Sequence, residues 1–332
     1  MCLWDKGWSE QVIKQAVWLS GLATYEQAGE ILRKIGGVEI STKSVWRCVE
    51  KWGSKLEQLE GLQMAKAYDF EQGEFDRNRS LEPMGAAMDG TMVHIREEGW
   101  KELKVGSIFE VEKRKTLDQE TNEEIELGHA VKNGYVAHLG GPEIFGKKMW
   151  VEARERHWEQ AVDNIVIGDG ATWIWNLAAE HFHASHQMVD WYHALEHLAN
   201  AGKSLYGDGS PKARRWHRSM ETPLYQGHAN KVAGKLRRFA KRNPSKSEEL
   251  LKEANYFKNN HKRMQYMETR EDGFPIGSGM VESAAKQYKA RFAGAGMRWS
   301  RAGLTRLLPV RTAILSKRFD LMWSLSYNSP PN

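Results

Sequence analysis

The stretch Asn164-Ile165-Val166-Ile167-Gly168-Asp169-Gly170 decides how the rest of the chain is read. Its β-branched run is too short for a helix and reads as a buried strand ending in an acid. In open α/β sheets ligands gather at the carboxyl ends of strands, where Asp169 falls. Working outward, Ala171–His181 has a helical pattern, His186–Val189 is a second short strand, and Trp191–Ala201 is helical behind it. Upstream, Met84–Ile95, Glu102–Val111 and Val131–Ala137 read as three consecutive strands, with turns at Gly99 and at the acidic stretch Asp118–Glu126. Glu143–Trp158 suits a helix. The order is three strands, then helix, strand, helix, strand and further helices, an α/β pattern.

The flanks are helical. Residues 8–56 carry apolar positions at helical spacing, and Thr24 with Gln27 forms a capping-box signature closed by Gly36-Gly37. Ser41-Thr42 then opens Lys43–Trp52. Helix, Gly-containing turn and Ser/Thr-opened helix outline a helix-turn-helix whose last helix could present Lys43 and Arg47 to a groove. A three-helix bundle that touches no DNA shows the same outline. Residues 57–80 are polar and read as a connector. Residues 203–270 are helix-like and basic, interrupted at Gly207-Asp208-Gly209-Ser210-Pro211, and a last helix begins near Ser278. The expected organisation is a helical N-terminal module (1–80), an α/β core in two pieces (81–202 and 271–320), a basic helical insertion (203–270) and a tail (321–332).

Composition bounds the function. The chain has 332 residues, 41% hydrophobic and 27% charged, which suits two or three packed domains and excludes a disordered or collagen-like chain. No apolar run reaches the roughly 18 residues of a membrane span, and the N-terminus lacks a secretory pattern, so a cytoplasmic, nucleoid-associated protein is expected. Two cysteines, Cys2 and Cys48, rule out a disulfide scaffold and a Cys-rich zinc ribbon. No phosphate-cradling GxxxxGK[ST] loop is present. The net charge of +5 hides a strong asymmetry: residues 203–246 sum to +10, residues 286–318 carry no acid and sum to +9, and the remainder sums to −14. Such blocks suit a polyanion, most simply DNA, although solvated helix faces would also account for them. The candidate DNA contacts are Lys43, Arg47, Arg214, Arg215, Arg218, Lys286, Lys289, Arg298 and Trp299.

Three acids stand out. Asp89 interrupts the apolar strand Ala87-Met88-Asp89-Gly90-Thr91-Met92-Val93, where an unpaired carboxylate would cost several kcal/mol. Asp169 ends its strand, and Glu282 lies in the first turn of the helix that Ser278 would cap. Together they form the hard oxygen set that Mg²⁺ or Mn²⁺ prefers, and two such ions suit phosphodiester displacement. Singly, each has a structural explanation: Asp89 as a turn residue, Asp169 as a helix N-cap, Glu282 as partner of Lys286 at i+4. Five histidines crowd residues 181–197, and His193-Ala194-Leu195-Glu196-His197 matches the H-x-x-E-H zinc-peptidase pattern, without an identifiable third ligand.

Met88-Asp89-Gly90-Thr91, Ile167-Gly168-Asp169-Gly170-Ala171 and Gly277-Ser278-Gly279-Met280-Val281-Glu282-Ser283 together resemble the three acidic motifs of bacterial insertion-sequence DDE transposases, of the Kra-type group related to the Mutator superfamily. Gly99-Trp100-Lys101-Glu102-Leu103-Lys104-Val105-Gly106, Gly296-Met297-Arg298-Trp299-Ser300 and the D-x-x-H element Asp190-Trp191-Tyr192-His193 add to the likeness, which runs from about residue 85 to 315. The resemblance implies an RNase H-like mixed sheet with a helical insertion before the last catalytic helix. It also implies Asp89, Asp169 and Glu282 as ligands of two Mg²⁺ or Mn²⁺ ions, with Asp190 and His193 as auxiliary groups. The implied reaction is cleavage at transposon terminal inverted repeats followed by strand transfer to target DNA, by a homo-oligomer, most simply a dimer. The chain departs from that pattern in having no Cys-rich segment upstream of the helical module. A DNA-binding protein without catalysis and a zinc peptidase are the alternatives.

Overall fold

The computed structural model describes residues 3–4, 7–68, 82–117 and 124–328. A two-stranded ribbon, β1 (Leu3–Trp4) and β2 (Trp8–Ser9), leads into α1 (Glu10–Leu22), α2 (Tyr25–Gly36) and α3 (Thr42–Tyr68). The Thr24–Gln27 capping box forms as read, and Gly37 ends α2 in a left-handed conformation at φ 63°. α3 runs through residues 57–68, which had read as connector. Polar residues on a long helix are a solvated face rather than a loop, and the remainder of the expected connector, residues 69–80, lies outside the described residues.

The strands follow: β3 (Met84–Ile95), β4 (Gly99–Leu117) and β5 (Glu124–Leu139), then α4 (Pro142–Glu155), β6 (Asn164–Gly168), α5 (Thr172–His181), β7 (His186–Val189) and α6 (Trp191–Tyr206). They form one mixed five-stranded sheet in the order β5-β4-β3-β6-β7. β3, β4 and β5 are antiparallel neighbours, whereas β6 and β7 run parallel to β3. Gly99 makes the β3–β4 turn at φ 73°. β4 and β5 are longer than the sequence pattern indicates: Glu112–Lys115 is paired with Glu126–His129 but exposed, so no apolar alternation marks it. Part of the acidic stretch expected as a turn, Glu124–Glu126, belongs to β5; residues 118–123 lie outside the described set.

The basic segment folds as α7 (Pro211–Tyr225), α8 (Ala229–Arg242), α9 (Ser247–Asn260) and α10 (Tyr266–Glu271). α11 (Gly279–Phe292) returns to the sheet, and α12 (Arg301–Leu315) and α13 (Phe319–Asn328) follow, so the helix near Ser278 is not the last. The residues expected as a tail enter α13, because Phe319, Trp323 and Ser326 give that segment a buried face at helical spacing. α4 packs on β4 and β5, with α5 against α4 and its Ile174 at Gly168 of β6; α11 packs on β3, β4 and β5, and α12 on β5.

The N-terminal helices share this core. Ile13, Val17, Trp52 and Leu56 belong to the same buried cluster as the strand residues, while Ala16, Ala28, Leu32, Ile40 and Val45 make a small core of their own. Trp52 stacks on Trp323 of α13 at 4.2 Å between ring centroids. α3 meets α12 so closely at Gly53 that a Cβ there would collide with the Arg306 carbonyl. The Glu50–Arg306 ion pair flanks the same crossing. Alanine ordinarily gains about 1 kcal/mol over glycine inside a helix. Gly53→Ala is nevertheless expected to lower stability by roughly 1–3 kcal/mol, because the helices must separate. Gly61→Ala, in the same helix and facing open space, is expected to be neutral or stabilising; urea unfolding of the two variants measures the contrast.

Candidate active site

The parallel register of β3 and β6 places Met88 beside Gly168, so Asp89 and Asp169 come next on neighbouring strands, at the carboxyl end of β6. β6 stops at Gly168 while β3 continues, which leaves Asp89 bordered on one side only by β4. That explains how a carboxylate sits inside an apolar strand: it is half-buried at a notch in the sheet. Its Oδ1 accepts the Gly90 amide at 2.6 Å. Asp169 is not the N-cap of α5, a position taken by Ala171. Its Oδ1 accepts the Ala171 N–H at 2.8 Å, and its backbone oxygen accepts the Tyr256 hydroxyl of α9 at 3.0 Å. α9 thus closes over the end of β6, in contact with Gly170 through Tyr256 and Asn260.

Asp190, one residue past β7, is fully buried (0% exposed). Its N–H donates to the Gly168 carbonyl at 2.8 Å. Oδ1 caps α6 through the His193 N–H at 2.8 Å and also faces His193 Nδ1 at 3.3 Å. Oδ2 accepts the Ser278 N–H in a short bond, and Trp191 N–H donates to the Ile276 carbonyl at 3.0 Å. The residues after β7 therefore bolt down the start of α11. Ser278 occupies the N-cap of α11, yet its side chain makes no capping bond; its amide serves Asp190 instead. In the first turn Glu282 is half-buried, and it also forms the expected pair with Lys286 at 3.5 Å.

Asp190, His193 and Glu282 each offer a ligand atom within 4.8 Å of the others. This is not the set that the sequence singles out. Asp190 already spends both oxygens on backbone amides, and His193 must lose a proton before it can ligate, so the trio as it stands is a clamp beside Glu282. The expected triad shares one electrostatic neighbourhood. Burial pushes the Asp89 carboxyl above its ordinary value; the Gly90 amide opposes this, and the charges of Asp169 and Glu282 add to it. His193 is pushed up to about 9 by its hydrogen bond to Asp190, against burial and with the charges of Asp190, Asp169 and Asp89. Burial would raise Asp190, but hydrogen bonds from His193 and Ser278 hold its carboxyl low.

The two histidines of the H-x-x-E-H pattern diverge. His193 turns to Asp190, whereas His197 Nδ1 pairs with Glu253 of α9 at 2.6 Å and its ring stacks on Tyr256 at 3.5 Å. Lys43 and Arg47 are exposed on α3, Arg214, Arg215 and Arg218 on α7, Lys286 and Lys289 on α11, and Arg298 in the loop before α12. Trp299 is held differently. Its backbone bridges to His94 and Arg96 at the end of β3, its indole donates to the Phe292 carbonyl at 2.8 Å, and Tyr25 meets it edge-on. That ring is a wedge in the fold rather than a free platform for a base. Trp175 is buried, and Trp173 is half-buried beneath the Lys104 ammonium at 4.5 Å. Glu253, Tyr256 and Asn260 were missed by sequence reasoning, since nothing local in α9 marks residues that reach the end of β6. Asp190 stood out in the sequence only through the D-x-x-H element, and nothing local marks its clamp on Ser278.

No family model matches the chain, and no curated protein matches it.

Two outcomes follow from the clamp. Asp190→Ala would strand His193 and the Ser278 amide, and is expected to cost on the order of 3–5 kcal/mol in denaturant unfolding. The folded state, in chelator-containing buffer, holds the His193 proton more tightly than the unfolded chain, whose value is about 6.5. This stabilisation is complete below pH 6.5 and is lost as the pH rises through about 9. A histidine NMR titration should show the elevated midpoint, and Asp190→Asn should return it toward the ordinary value.

Proposed function

We propose that this protein is a DNA transposase with an RNase H-like core, cutting at the ends of a mobile element and joining them to target DNA. The observation that carries the reading is the pairing of Asp89 and Asp169 at the carboxyl end of β6, with Glu282 brought to the same charge cluster from a helix 113 residues further on. The sheet order, three antiparallel strands followed by two parallel ones, supports it. So do the exposed cations of α7 and α11.

The donor set fits divalent cations. Asp89 is raised partly by its acidic neighbours, and a cation among them would relieve that repulsion. Asp89, Asp169 and Glu282 would hold Mg²⁺ or Mn²⁺, which supplies activation of a water or 3′-hydroxyl and charge neutralisation at the leaving oxygen. The chain's own residues do the rest. Asp89 stands within β3 and Asp169 directly after β6, both with little freedom, and the Asp190–Ser278 bond fixes where Glu282 enters. With Nδ1 of His193 taken by Asp190, Nε2 is the nitrogen left to donate to a phosphate oxygen. Water attack on a phosphodiester would leave a 3′-hydroxyl on one strand, which would then attack a target phosphodiester and expel its 3′ oxygen. The helical module 1–80 and the insertion 203–270 would grip DNA, and a homodimer would hold two ends together. A peptidase is disfavoured by the separate pairing of His197 with Glu253.

The test is a nicking and strand-transfer assay with Mg²⁺ or Mn²⁺ on DNA carrying the sequences that flank the gene. Asp89→Asn, Asp169→Asn and Glu282→Gln are each expected to remove several kcal/mol of transition-state stabilisation, about a thousandfold in rate. Their circular dichroism should be unchanged. Variants as active as the parent would reject the proposal.

A further inference from the structure

Away from the acids, an open groove of about 580 Å³ lies where the start of α2, the exposed side of α3, the loop before α12 and the first turn of α12 meet. Its lining includes Tyr25, Trp46, Arg96, Arg291 and Arg298, and no carboxylate. Arg291 is 4% exposed, an unusual depth for a guanidinium without a carboxylate partner. Nε donates to the Ser20 carbonyl at 2.9 Å and the group lies over Trp299, but Nη2 is buried with no hydrogen-bond partner among the described residues. The Tyr25 hydroxyl in the same lining is also buried and unpartnered. Each orphaned donor costs about 1–3 kcal/mol, so two together mark a place where an acceptor is absent.

The surroundings specify that acceptor. Two helices, α2 and α12, begin at the groove and direct their positive ends into it. Arg96 and Arg298 stand at the rim, with Arg96 Nε held by the Arg298 carbonyl at 3.2 Å. Burial lowers Arg291 to about 10, which still leaves it cationic at neutral pH. Beside these cations Trp46 is 41% exposed. Lys43, three residues before it, lies on the same side of α3. Anion donors next to an open indole are what a nucleotide unit of a strand requires: a phosphate on the guanidinium, a base on the ring.

We propose that this groove binds a phosphodiester of a single-stranded or unpaired DNA segment, with Arg291, Tyr25 and Arg298 on the phosphate and Trp46 under the adjacent base. The assignment to DNA rests on the transposase reading; the anion site rests on the groove alone. α11 carries Glu282 at one end and Arg291 nine residues later, about 13 Å along the helix. The groove also meets the end of β3 at Ile95, about 20 Å along the strand from Asp89. One DNA strand could therefore lie in the groove and reach the acids, a span of about six nucleotides at 3.4 Å each.

The test is fluorescence anisotropy of the full chain with a labelled single-stranded oligonucleotide, in chelator so that nothing is cut. Arg298→Glu is expected to weaken binding by about tenfold or more, with a shallower salt dependence, and Trp46→Ala by about five- to tenfold. Both side chains are exposed, so the variants should fold; Arg291→Gln is expected to follow Arg298→Glu where its circular dichroism is native. Arg214→Glu, on α7, is the comparison and should weaken binding less. Undiminished binding in Arg298→Glu and Trp46→Ala would overturn the groove assignment while leaving the transposase reading intact. Absence of any DNA binding by the parent would reject both. Inorganic phosphate or a mononucleotide competing at the groove with no strand bound would overturn the strand assignment in favour of a free nucleotide.

Discussion

The buried carboxylate of Asp190 is the interaction on which the rest of the site depends. It receives the His193 amide at the start of α6, the His193 ring and the Ser278 amide at the start of α11, while its own N–H ties it to Gly168 of β6. A buried charge is tolerable only when its lone pairs are filled, and here they are. Asp190 and Ser278 are 88 residues apart in sequence. Closing a flexible loop of that length costs about 4 kcal/mol, more than one charge-assisted bond of about 1.5–3 kcal/mol offsets. The remainder comes from the apolar side of α11, where Val281, Ala284 and Tyr288 pack against the sheet. Apolar packing holds the helix, and Asp190 sets its register, which is what positions Glu282.

The helical insertion is tied into the same arrangement. Tyr256 of α9 reaches the carbonyl of Asp169, and Glu253 one turn earlier holds His197, whose ring lies flat on Tyr256. Asp190 starts α6, and the His197 contact lies on the next turn of that helix. Movement of the insertion against α6 would therefore be felt at Asp169 through Tyr256. The acids of β3 and β6 sit on or beside rigid strands, whereas α9 folds back onto them from far along the chain, Tyr256 lying 87 residues from Asp169.

What was legible in the sequence was what local chemistry determines. The run Asn164–Gly168 is a buried strand because its β-branched residues suit nothing else at that length, and the Thr24–Gln27 box forms because both partners lie within one turn. Convergence of Asp89 and Asp169 was half legible: both end up at one strand terminus, but the register of β3 on β6 is a tertiary fact. The outer halves of β4 and β5 were lost because a ribbon with both faces wet has no apolar period, and α3 was cut short at a polar stretch that is simply its exposed side. Asp190 stood out only through its D-x-x-H likeness; the structure makes it the cap of α6, and its second oxygen serves a residue no window would include. Trp299 lay in a basic stretch and invited a base; the aromatic neighbours that occupy it, Tyr25 and Phe292, come from elsewhere in the fold.

Charge along α11 has two explanations that burial separates. An acid in the first turn and cations toward the end, Glu282 followed by Lys286, Lys289 and Arg291, is the pattern that complements a helix dipole. Stability alone would account for Lys286 and Lys289, which are exposed and gain a few tenths of a kcal/mol for little cost. It does not account for Arg291. A guanidinium buried with one nitrogen unserved loses more by desolvation than a helix terminus returns. Glu282 is likewise half-buried next to other acids, where a surface position on the same turn would serve the dipole without repulsion. Both ends of the helix thus carry a charge where folding would not choose it, one sign facing the acids of β3 and β6 and the other facing the groove. Such a pair is intelligible when an external cation answers the first and an external anion the second, and the proposed DNA strand held against divalent metal would supply both.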